Sequence, residues 1–105
     1  MDIKIKASEI EHTAAIDGYI EKKIGRLEKF MKNVRGPHVA QIEIGKNSAH
    51  HKNGPVMTCH VHLSIPGASL NSERDAVDLY AAIDLASDDI ERQIVKYKET
   101  RRGIK

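Results

Sequence analysis

Val56-Met57-Thr58-Cys59-His60-Val61-His62-Leu63-Ser64-Ile65-Pro66-Gly67 decides the fold. Met57, Cys59, Val61, Leu63 and Ile65 fall on one phase of a period-two pattern, with His60, His62 and Ser64 on the other. That alternation marks a strand with one buried face. Pro66-Gly67 is the tightest turn signal in the chain and predicts a hairpin into a short fourth strand, about Ala68 to Ser72. Upstream, residues 45–55 are polar and aperiodic, and read as a mobile loop. Before them Ala40, Ile42 and Ile44 alternate with Gln41 and Glu43, a second strand. Gly36-Pro37 ends a helical region in which Ile16, Ile20, Ile24, Leu27 and Met31 recur behind an N-cap at Thr13. Residues 2–8 alternate again and form a leading strand. Downstream, a long helix from about Asp75 buries Leu79, Ile83, Ala86, Ile90, Ile94 and Tyr97.

These elements define an α+β domain with the order β-α-β-β-β-α. The first two strands, joined by a helix, are expected to be parallel through a right-handed crossover, and the remaining pairs antiparallel. Both helices then pack on one face of a four-stranded sheet. The pattern resembles a double-stranded-RNA-binding domain with an extra leading strand. Residues 1–105 make one domain, with a basic tail at 98–105.

Charge is distributed unevenly over this frame. Residues 92–105 hold six cations (Arg92, Lys96, Lys98, Arg101, Arg102, Lys105) against Glu99, a net of +5. Residues 21–35 hold Lys22, Lys23, Arg26, Lys29, Lys32 and Arg35 against Glu21 and Glu28, a net of +4. The whole chain is only +2, so everything else sums to −7. Cations gathered on two helices of a near-neutral protein are the footprint of a phosphate backbone. At 100° per residue Lys22, Arg26 and Lys29 fall together, while Lys23 sits at the edge of the apolar stripe and snorkels outward. Arg92 and Lys96 project opposite Ile90 and Ile94. The competing reading is a pair of solvated faces whose cations favour the helix C-termini.

Other chemistries find little support. Phe30, Tyr19, Tyr80 and Tyr97 are the only aromatics, too few for base-stacking platforms. The one cysteine, Cys59, forms no internal disulfide and reads as a small core hydrophobe in a reducing, cytoplasmic setting. No signal peptide or membrane-length apolar run is visible. His60 and His62 share a strand face and His50-His51 precede them, but Cys59 points the other way and a four-ligand metal set is not identifiable. The carboxylates Asp78 and Asp84 read as helix-start charges rather than a catalytic pair. No enzyme activity, cofactor or metal is expected.

The stretches Ile3-Lys4-Ile5, Thr13 to Ile16 and Tyr19 to Phe30 resemble the first strand and helix of the bacterial ribosome hibernation factors. The resemblance resumes at Pro66-Gly67 and is strongest over Asp78-Leu79-Tyr80-Ala81-Ala82-Ile83-Asp84 and Ile90-Glu91-Arg92-Gln93-Ile94. It implies a translation-inhibiting protein of stress and stationary phase. Such a protein binds rRNA of the small ribosomal subunit, in the channel for messenger and transfer RNA. The family's basic positions fall on Lys23, Arg26, Lys29, Arg92 and Lys96, with Lys22 and Lys98 as additional cations and Arg101 and Arg102 in the tail. Asp88-Asp89 stands where family members often carry neutral or basic residues, implying a weaker or displaced contact that lysines there would tighten. The chain stops at Lys105 without a second domain or acidic tail, which favours the short type. A monomer that binds neither DNA nor membrane is expected. The alternatives are a structured-RNA binder without ribosome preference and a metal-dependent enzyme centred on His60 and His62.

Overall fold

The computed structural model describes residues 1–47 and 56–103, with the side chains of 101–103 excepted. His50, His51 and most of the expected 45–55 loop lie outside the described residues. The elements run β1 (Asp2–Ser8), α1 (Ala14–Gly25), a 3-10 segment (Arg26–Met31), β2 (Val39–Asn47), β3 (Val56–Ile65), β4 (Ala68–Ala76) and α2 (Leu79–Gly103). The strands form one sheet in the order β1-β2-β3-β4, with β1 and β4 at its edges. β1 and β2 are parallel; the other pairs are antiparallel.

Register brings each apolar phase onto the same face. Ile3, Ala40, Leu63 and Leu70 form one row across the sheet, and Ile5, Ile42, Val61 and Ser72 the next. Both helices press on these rows. Ile20 and Ile24 of α1, Leu27 and Met31 of the 3-10 segment, and Ile83, Ala86, Ile90 and Ile94 of α2 are all buried with the sheet residues in a single core. At roughly 25 cal/mol per Å² of apolar surface removed from water, this shared core is the main term holding the helices in place.

The boundaries differ from the sequence reading at three places. β2 continues through Gly45–Asn47, which pair with Thr58, Met57 and Val56 instead of opening the loop. The first helix tightens to 3-10 geometry after Gly25, although its apolar stripe continues through Leu27 and Met31. β4 runs four residues further, to Ala76, and α2 begins at Leu79 rather than Asp75. Arg74 explains the last difference. It occupies an inward-facing phase where a cation argues against a strand, and Asp89 of α2 neutralises it there at 2.7 Å. Asp78 then starts α2, its Oδ2 accepting from the Ala81 amide at 3.2 Å.

Candidate nucleic-acid interface

α1 and α2 lie side by side and run the same way. Tyr19 of α1 meets Tyr80 near the start of α2, with ring centroids 4.8 Å apart in an edge-to-face arrangement. Further along, Lys98 donates to the Phe30 carbonyl at 2.7 Å. Parallel helices put both C-termini, and the cations that gather there, at the same end of the molecule. The amino group of Met1, 2.6 Å from Glu28, places the start of β1 at that end as well. This contact holds the Glu28 carboxyl below its usual range.

The structure divides the nine sequence-predicted cations into three sets. Lys22, Arg26, Lys29 and Lys96 are exposed and make no ion pair among the described residues. Lys23, Arg92 and Lys98 are engaged within the protein. Lys23 Nζ lies 3.3 Å from Asp84 Oδ1 with only 20% of its side chain exposed. Arg92, 69% exposed, pairs with Asp89 one turn earlier. Lys98 spends a donor on Phe30. Arg101 lies within α2, and so does Arg102, but their side chains fall outside the described residues.

Asp84 organises the seam between the helices. It accepts the Tyr19 hydroxyl at 2.5 Å while facing Lys23. That hydrogen bond, with burial and the surrounding carboxylates, pushes the Tyr19 phenol up to about 12. Asp89 faces the other way. It accepts from Ser72 Oγ at 2.9 Å and Arg74 Nη1 at 2.7 Å, both on β4, and also pairs with Arg92. The Arg74 bond first, then that of Ser72, holds its carboxyl below the usual range. Five residues at 100° each put Asp84 and Asp89 about 140° apart around α2, on opposite flanks. By the same rotation Arg92 points outward and Lys96 lies on the β4 flank. α2 therefore carries its cations along two borders, one shared with α1 and one shared with the sheet edge. Arg74, on that second border, was invisible to helix-based reasoning. Its signal was an arginine on the buried phase of a strand.

The opposite face of the sheet is open. Lys4, Lys6, Gln41, Glu43, His60 and His62 line a shallow depression there of about 340 Å³. His62 Nδ1 donates to Asn71 Oδ1 at 2.7 Å. Charges of both signs lie on this face, Lys4 and Lys6 beside Glu43. Among the described residues no group of three or more His, Cys, Asp or Glu side chains could hold a metal ion. No described helix is long and apolar enough to cross a membrane.

Four strands with two parallel helices on one face, the helices edged with cations, define an α+β domain of the double-stranded-RNA-binding type with a leading strand. Residues 3–102 match the family described as Sigma 54 modulation protein / S30EA ribosomal protein, and the chain belongs to that family. It is 30% identical over 99 residues to the ribosome hibernation promoting factor of Azotobacter vinelandii, covering 94% of this chain and 84% of that protein. It is 33% identical to the ribosome hibernation promotion factor of Bacillus subtilis, over 93% of this chain and 49% of that one. The Deinococcus radiodurans factor is 30% identical over 90% of this chain and 48% of its own. The chain thus spans about half the length of these two relatives. The N-terminal domain of Thermus thermophilus Protein Y superposes with a TM-score of 0.76 at 30% identity, over 92% of this chain and 99% of that one. A ribosomal subunit interface protein from Coxiella burnetii shares the fold, with a TM-score of 0.78 at 21% identity over 94% of this chain and 99% of that one.

Proposed function

We propose that this protein is a ribosome hibernation factor that acts in the cytoplasm without catalysis. It binds rRNA of the small subunit as a monomer, in the channel that otherwise holds messenger and transfer RNA, and so suppresses translation in stress or stationary phase. The observation that carries this reading is the arrangement of cations on two parallel helices of a chain in this family. Lys22 of α1, Arg26 and Lys29 of the 3-10 segment that continues it, and Lys96 of α2 are free to neutralise phosphates, with Lys23 and Lys98 held in the seam between the helices and Arg92 held on the outward side by Asp89. Inhibition is competitive: phosphates of the channel wall, once engaged by the helices, leave no room for the RNAs that translation needs.

Charge reversal tests it, provided that only exposed, unpaired cations are reversed. Arg92 is a poor target, because a glutamate there would face Asp89 and disturb the fold. Arg26→Glu, Lys29→Glu and Lys96→Glu together leave every described ion pair intact. The triple variant is expected to melt within a few degrees of the parent, since exposed substitutions cost about 0.5 kcal/mol or less each. It should lose sedimentation with small subunits in a sucrose gradient and inhibition of a purified translation system. A folded triple variant that still co-sediments and inhibits at full strength rules the reading out.

A further inference from the structure

Asp89 does more than offset nearby charge. Its two oxygens hold two arginines from different elements: Oδ2 takes Arg74 of β4, and Oδ1 takes Arg92 of α2. Ser72 Oγ, on a residue only 8% exposed, also donates to Oδ2 and fixes the carboxylate from beneath. The Asp89 side chain is 20% exposed, against 40% for Arg74 and 69% for Arg92. The carboxylate is therefore sunk between two guanidinium groups that stand above it. Each guanidinium has five N–H donors. Each gives one to Asp89, and both side chains, 40% and 69% exposed, keep further donors that Asp89 does not use.

We infer that Arg74 and Arg92, held side by side by Asp89, form a phosphate-binding fork for one phosphodiester of the RNA backbone. The trio keeps a net charge of +1, and Lys96 stands one helical turn further along the same flank, about 6 Å away. Two planar forks presented together suit the non-bridging oxygens of a phosphate. Pre-positioning by Asp89 and Ser72 removes rotamer entropy that free arginines lose on binding. The fork also gives the Asp88-Asp89 stretch a different meaning. A cation is not missing at that point of α2; it is supplied by β4, and Asp89 is the residue that holds it there.

The inference rests on the rRNA-binding reading and is tested so that the two can fail separately. Arg74→Gln is expected to weaken binding to purified small subunits about eightfold at 0.1 M salt. It should also make the slope of log K against log salt shallower by about 0.7 to 0.9, the share of one phosphate. Arg74→Lys keeps the charge and one donor for Asp89, and should restore the slope. A folded Arg74→Gln protein with parental affinity and slope shows that Arg74 is only a strut between β4 and α2, and overturns the fork. Arginine modification of the unmutated protein with phenylglyoxal, read by mass spectrometry, answers the question without any variant. Small subunits should protect Arg74, Arg92 and Arg26 together. Protection of Arg26 without Arg74 sinks the fork but leaves the ribosome reading standing; protection of none removes both.

Discussion

Asp88 and Asp89 are neighbours in sequence with different roles. Asp88 is exposed and makes no ion pair among the described residues, whereas Asp89 takes three donors from two elements. Lysine at each position should separate them. Asp88→Lys removes an anion from the outward face of α2 and is expected to tighten small-subunit binding with little change in urea midpoint. Asp89→Lys sets a third cation against Arg74 and Arg92, and should cost about 1.5–3 kcal/mol in urea unfolding, the range for a lost hydrogen bond to a charged group. Because the Asp89 carboxyl is depressed in the fold, its contribution is complete above about pH 4 and fades as pH falls through the lowered value. Sequence alone treated the two aspartates as one block. Its cations were legible because helical rotation orders them within one element. The partners of Asp89 lie 15 and 17 residues away on a strand whose extent depended on Asp89 itself.

At the level of elements, the Tyr19–Asp84 bond couples the two helices that carry the proposed interface. The phenol is raised to about 12 chiefly because Asp84 accepts its hydrogen bond. The neutral form is favoured in the folded state, so this stabilisation is full below the unfolded value near pH 10 and is lost as pH rises toward 12. Ultraviolet titration should show a late tyrosine ionisation, and Tyr19→Phe should delete that late step. A Tyr19→Phe protein with an unchanged late step assigns it elsewhere and breaks the account of the seam. The order of elements, the hairpin at Pro66-Gly67 and the apolar stripes were all readable from periodicity. The 3-10 turn after Gly25 was not, because Leu27 and Met31 face the core at either helical pitch. Cys59, on the apolar phase of its strand, is fully buried, its thiol pushed up to about 12 by burial. It should resist thiol reagents until the protein unfolds.

Taken whole, the molecule is polarised along its helices. Asp17 and Asp78 lie at the helix starts, and Arg26, Lys29 and Lys98 toward their ends. With about five cations engaged and each phosphate adding roughly −0.7 to −0.9 to the slope, raising salt from 50 to 200 mM should weaken small-subunit binding on the order of a hundredfold. A nearly flat response in a filter-binding titration would show that apolar contacts dominate.

Parallel packing of α1 and α2 also bears on how the protein arrives. If the helices ran in opposite directions, their basic ends would point apart, and a phosphate-rich surface would exert little torque on the approaching molecule. On the rRNA-binding proposal, helices that run together let the field of the RNA turn the basic end forward while the protein is still diffusing. A larger share of collisions then occurs in a productive attitude. In that proposed role the topology of the sheet, by fixing the direction of both helices, bears on the speed of capture as well as its strength.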